Sequence, residues 1–128
     1  MKRHKRITFY ISFLLLLTLA CRTLSFNSSP TLIGDWEGQY EGNTVLMTFY
    51  DDDNMSISVN KYIDRGTYIV DYSASPILLE LDLESYDELI LILVEFIDQD
   101  TIRIGNNNPG EESPASFSES MIMNRISK

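Results

Sequence analysis

The stretch Leu89-Ile90-Leu91-Ile92-Leu93-Val94-Glu95-Phe96-Ile97 is the longest apolar run after the first twenty residues, and it decides the fold class. It is long enough for a helix. However, β-branched Ile and Val recur through it and apolar side chains fill both faces, the pattern of a buried strand. Asp98-Gln99-Asp100 follows as a tight polar turn into Thr101-Ile102-Arg103-Ile104, so a central β-hairpin is expected here.

Working outward, the same grammar repeats at intervals of about ten residues, the spacing of an all-β sandwich or barrel. Toward the N-terminus, Ile77, Leu79, Leu81 and Leu83 share one face of a strand entered through Ser73-Ala74-Ser75-Pro76. Thr67–Tyr72 reads as another strand, preceded by Asp64-Arg65-Gly66 as a turn. Met55, Ile57 and Val59 alternate with Ser56, Ser58 and Asn60 after the turn formers Asp51-Asp52-Asp53-Asn54. Thr44–Tyr50 and Leu32–Tyr40 complete this half, joined by Glu41-Gly42-Asn43. Toward the C-terminus, a loop from Gly105 to Pro114 leads into a last strand from Ala115 to about Arg125. Eight short strands with no room for crossover helices predict an antiparallel up-and-down barrel. Closure removes the free edges that would otherwise pair with other chains.

The first quarter of the chain reads differently. Met1-Lys2-Arg3-His4-Lys5-Arg6 is basic, residues 7–20 are almost wholly apolar, and Ala20 precedes the only cysteine, Cys21. A charged head, an apolar run and a small residue before the break form a secretory signal. The run of about fourteen residues is short of the roughly twenty needed to span a bilayer. Leu17-Thr18-Leu19-Ala20-Cys21 resembles the lipobox of bacterial lipoproteins, which implies cleavage before Cys21 and acylation of its thiol. Thr18 stands where leucine is usual. Residues 22–31, rich in Ser, Thr and Asn, read as a flexible tether. The expected division is therefore a signal peptide (1–20), a lipidated Cys and tether (21–31) and a barrel domain (32–128).

Charge narrows the partners. The whole chain carries a formal net charge of −9, with ten basic and nineteen acidic residues. From Cys21 onward six basic residues face all nineteen acidic ones, a charge of −13. Such a surface repels phosphate backbones and anionic head groups, so nucleic acid is excluded as a partner. Attachment to a cell membrane or outer membrane then has to come from acyl chains. Arg22, where an aspartate after the lipidated Cys would favour inner-membrane retention, points toward the outer one.

The chemistry of catalysis is thinly represented. The only histidine, His4, lies in the leader and Cys21 would be acylated, so no nucleophile–base pair and no His/Cys metal site is expected in the domain. Asp51, Asp52 and Asp53 lack EF-hand spacing and read as a solvated turn. No cofactor, no metal and no enzymatic activity are expected. Glu80 and Glu95 lie within apolar strands and are the candidate pocket handles: pointing inward, either would be desolvated and could hold a ligand's polar group. Pointing outward, each simply faces water.

Taken in order, several segments resemble a known family. Gly34-Asp35-Trp36 is similar to the G-x-W opening of lipocalin and calycin-like barrels. Gly66-Thr67-Tyr68-Ile69-Val70-Asp71, Pro76, Leu81-Asp82-Leu83, Asp100-Thr101-Ile102-Arg103-Ile104 and Pro114-Ala115-Ser116-Phe117 follow, as in a bacterial family of small lipocalin-like domains of uncharacterised function. Gln99 and Ser113 depart from that pattern. The resemblance spans residues 32–118 and implies a barrel with an interior cavity, plugged at one end by Trp36. It also implies an arginine of a late strand packed across that tryptophan, for which Arg103 is the expected partner. Two functions are then open: binding of a small hydrophobic ligand or an envelope partner, or a fully packed module, an inhibitor or scaffold, that works through its acidic loops.

Overall fold

The computed structural model describes residues 29–112, 117 and 119–127. The expected signal peptide, Cys21 and the expected tether up to residue 28 lie outside them. Eight strands follow one another: β1 (Gly34–Tyr40), β2 (Asn43–Phe49), β3 (Asn54–Val59), β4 (Tyr62–Asp71), β5 (Ile77–Leu83), β6 (Ile90–Asp98), β7 (Thr101–Gly105) and β8 (Ser120–Ser127). Each pairs antiparallel with the next, and β8 pairs with β1 to close the barrel. No helix occurs among the described residues.

The run that could have been a helix is β6. Its inward side chains Ile90, Ile92 and Val94 are buried. Leu93 points the other way and is buried as well, while Phe117 lies close to the neighbouring Gly105 on that outer wall. Coverage of both faces is why the stretch shows no clean alternation.

Two strands differ from expectation: the last, expected from Ala115, runs over Ser120–Ser127, and the fourth starts earlier than its composition suggests. Asp64-Arg65-Gly66 is not a turn but the middle of β4, which begins at Tyr62. The chain reverses instead at Asn60-Lys61, with Asn60 at φ 56°, a left-handed conformation that Asn tolerates. Gly66 is a strand residue because β5 crosses too close for a side chain: a Cβ there would clash with the carbonyl oxygen of Asp82. The first hairpin turns through Glu41 and Gly42, both at positive φ, the geometry that matches the twist of paired strands.

An up-and-down barrel sorts its connections by end. The turns β1–β2, β3–β4, β5–β6 and β7–β8 gather at one mouth. The turns β2–β3, β4–β5 and β6–β7, the entry to β1 and the end of β8 gather at the other.

Candidate functional site

The end at which β1 enters is filled. Trp36 is fully buried, and its indole N–H donates to the carbonyl of Leu32 at 2.7 Å. Phe96 meets the indole edge-on with ring centroids 6.4 Å apart, and Phe49 and Tyr68 form a second edge-to-face pair at 5.0 Å. The Tyr68 hydroxyl donates to the Tyr50 carbonyl at 2.7 Å. Burial raises the pKa of that phenol, helped by the nearby Tyr72 and the carboxylates of the Asp51–Asp53 turn.

The arginine over the tryptophan is Arg125, not Arg103. Its guanidinium carbon lies 4.2 Å from the ring centroid, and the two residues are register partners on β8 and β1. Only 6% of the side chain is exposed. Nε donates to Asp100 at 3.0 Å, Nη1 to the Ile33 carbonyl at 2.5 Å, and Nη2 to the carbonyls of Thr31 at 2.7 Å and Gln99 at 3.0 Å. One side chain thus ties β8, the β6–β7 turn and the entry segment together. Thr31, read from sequence as part of the tether, is fastened to the barrel by this bond and faces the Tyr72 hydroxyl at 3.3 Å.

Arg103 belongs to the outer wall. It lies opposite Glu95 in the β6–β7 register, at 3.8 Å, with both side chains substantially exposed, and 5.7 Å from the Phe117 ring centroid. An ion pair that open to solvent contributes little. Glu95 therefore does not enter the barrel. Nor does Glu80, which alternates with the buried Leu79 and Leu81 and so faces outward. Both candidate handles fall on the solvent side for the same reason: their nearest neighbours along the strand already occupy the interior.

The same closed end carries a carboxylate clasp. Asp35 accepts a hydrogen bond from the Thr48 hydroxyl at 2.7 Å and another from Ser127, linking β2, β1 and β8. The Ser127 bond, then the Thr48 bond, hold its carboxyl below the ordinary value of 3.8. A folded-state pKa below the unfolded one stabilises the protein above the unfolded value, and that contribution is lost as the pH falls through the folded value. Asp35→Asn is accordingly expected to flatten the acid limb of a Tm-against-pH curve below about pH 4. An acid limb as steep as the wild type's would remove this role.

The opposite end is hollow. A cavity of about 370 Å³ opens there, within the usual size range of small-molecule sites. Val45, Met47, Ile57, Leu81, Ile92 and Ile104 form its apolar wall, and Tyr40, Tyr62 and Tyr86 also line it. Asp64 is the one charged residue among those lining it, and it is only 5% exposed. Its Oδ1 accepts the backbone N–H groups of Arg65 at 2.9 Å and Ser85 at 3.3 Å. The Ser85 hydroxyl in turn meets the Tyr62 hydroxyl at 2.7 Å, so the β5–β6 loop is pinned beside the carboxylate. Sequence reasoning missed Asp64 because Asp-Arg-Gly has turn composition. The signal was there in the parity of Tyr62, Asp64, Gly66 and Tyr68, which continues inward through β4.

Among the described residues no cluster of three or more His, Cys, Asp or Glu side chains is placed to hold a metal ion. No protein-family model, no curated protein and no solved structure matches the chain.

Proposed function

We propose that this is an exported lipoprotein, held to a membrane through acylated Cys21, whose lipocalin-like barrel binds a small hydrophobic molecule in the open cup. The observation that carries the reading is the cavity itself: about 370 Å³ of apolar-walled space at one end of a barrel whose other end is packed shut. A module that works only through its loops has no use for such a space, and interiors normally close around voids of this kind. Binding without chemistry is the matching role, because the cup holds a single acidic side chain and no base beside a nucleophile.

The topology orients the proposal. The entry to β1 lies at the packed end, which supports a mouth turned away from the anchor. A ligand would then enter from the aqueous compartment or from a partner protein rather than by direct partition from the anchoring bilayer.

Native mass spectrometry of the protein purified from its own envelope tests the reading. A small molecule retained at one per chain is expected, and a persistently empty barrel would count against it. In the same cells, Cys21→Ser should abolish labelling by palmitate and release the protein from the membrane fraction. Continued labelling or retention would refute the anchor.

A further inference from the structure

We infer that Asp64 makes the cup selective for hydrophobic amines: an apolar body seated against the barrel wall, with its ammonium group on the free carboxylate oxygen. The inference rests on the ligand-binding reading above and deepens it.

A carboxylate is a costly group to place inside an apolar wall, and it is normally matched by a cation or saturated with donors. Asp64 is only half matched. Both donors it receives go to Oδ1, and among the described residues Oδ2 accepts no hydrogen bond. Neither of the ion pairs formed among those residues involves it. Yet among the described residues no side-chain oxygen or nitrogen is both sealed from solvent and unpartnered. The free oxygen therefore keeps some exposure, and Asp64 lines the cup. Arg65, the adjacent cation, alternates to the exposed outer face of β4.

The surroundings favour the same charge. Tyr40, Tyr62 and Tyr86 bring aromatic rings to the cup, and ring faces attract ammonium groups. The mouth loops carry Glu41, Glu84, Asp87, Glu88, Glu111 and Glu112, against which Lys61 is the one basic side chain among their described residues. Such a rim concentrates cations at the entrance and repels anions, so a fatty acid meets an unfavourable field at the mouth and an unfavourable charge inside.

A matched set of probes decides the point. The full chain in zwitterionic lipid nanodiscs is titrated with 4-butylbenzylamine, 4-butylbenzyl alcohol and 4-butylbenzoate, with empty nanodiscs as the partitioning baseline. The amine is expected to bind about tenfold or more tightly than the alcohol, the gain from a donor that carries the opposite charge to the carboxylate, with the benzoate weakest. Asp64→Asn should erase the preference, bringing amine binding down to the level of the alcohol. Equal binding of amine and alcohol, or tightest binding of the benzoate, would overturn the selectivity while leaving the cup a ligand site. Binding of none of the three above the baseline would overturn both. The wild-type ranking stands as a test even where Asp64→Asn fails to fold, because it needs no substitution.

Discussion

Replacing Arg125 by alanine is expected to destabilise the barrel by about 2–4 kcal/mol, a fall in Tm of roughly 10–25 °C for a domain of this size. The magnitude follows from what the guanidinium does. It is almost fully buried, stacks over Trp36, and holds three backbone carbonyls and the Asp100 carboxylate from two separate parts of the chain, the entry segment and the β6–β7 turn. Removing it exposes one face of the indole and leaves the carbonyls of Thr31, Ile33 and Gln99 without that donor. Arg125→Lys should recover only a small part of the loss, because a compact ammonium cannot span the same fork of acceptors or stack flat on the ring. Trp36 is the only tryptophan, so its emission reports on this end alone, and a red shift in Arg125→Ala is expected. A variant melting within a few degrees of wild type, with unshifted emission, would contradict the plug. Arg103→Ala, on the outer wall, is the control and should change Tm little.

Gly66→Ala is expected to be comparably damaging, about 3 kcal/mol or more, for a reason unrelated to backbone freedom. The added Cβ would clash with the Asp82 carbonyl oxygen and crowd the Asp82 carbonyl carbon at 2.8 Å and the Leu83 Cα at 2.9 Å. Those are main-chain atoms of β5, and they cannot rotate away as a side chain would. β4 and β5 must separate locally, and they carry Asp64, Leu81 and Leu83 of the cup wall. Gly42→Ala is the contrast: its φ of 79° makes alanine strained, but the added methyl meets nothing within 4 Å, so a cost of only about 1 kcal/mol is expected. Equal urea midpoints for the two variants would show that the β4–β5 approach is looser than described.

The barrel was legible in the sequence because alternation is a direct consequence of burying one face of a strand. Met55, Ile57, Val59 and Leu79, Leu81, Leu83 announce their faces, and both strands lie where expected. Two features were not. Asp64-Arg65-Gly66 has the composition of a turn, and only the close approach of β5 explains a glycine in mid-strand. The partner of Trp36 was assigned to the wrong late strand, although parity already argued against it: Arg103 alternates with the inward Ile102 and Ile104 and so points away from the tryptophan. Arg125 shares the parity of Met121 and Met123, and closure of β8 onto β1 makes it the register partner of Trp36. Pairing across the closing seam depends on barrel closure, which local periodicity does not encode. The pocket handle followed the same logic. Glu80 and Glu95 drew notice as charges in apolar strands, whereas the buried carboxylate sat in a segment read as a turn.

The central claim is that the barrel is packed at one end and open to an apolar ligand at the other. Titration with N-phenyl-1-naphthylamine, an uncharged probe that fluoresces in apolar surroundings, addresses it most directly. The protein is expected to give saturable enhancement at one probe per chain, and Ile57→Trp, which fills the cup wall from β3, should abolish it while the fold is retained. No saturable enhancement in the wild type, or enhancement undiminished by Ile57→Trp, would contradict the account.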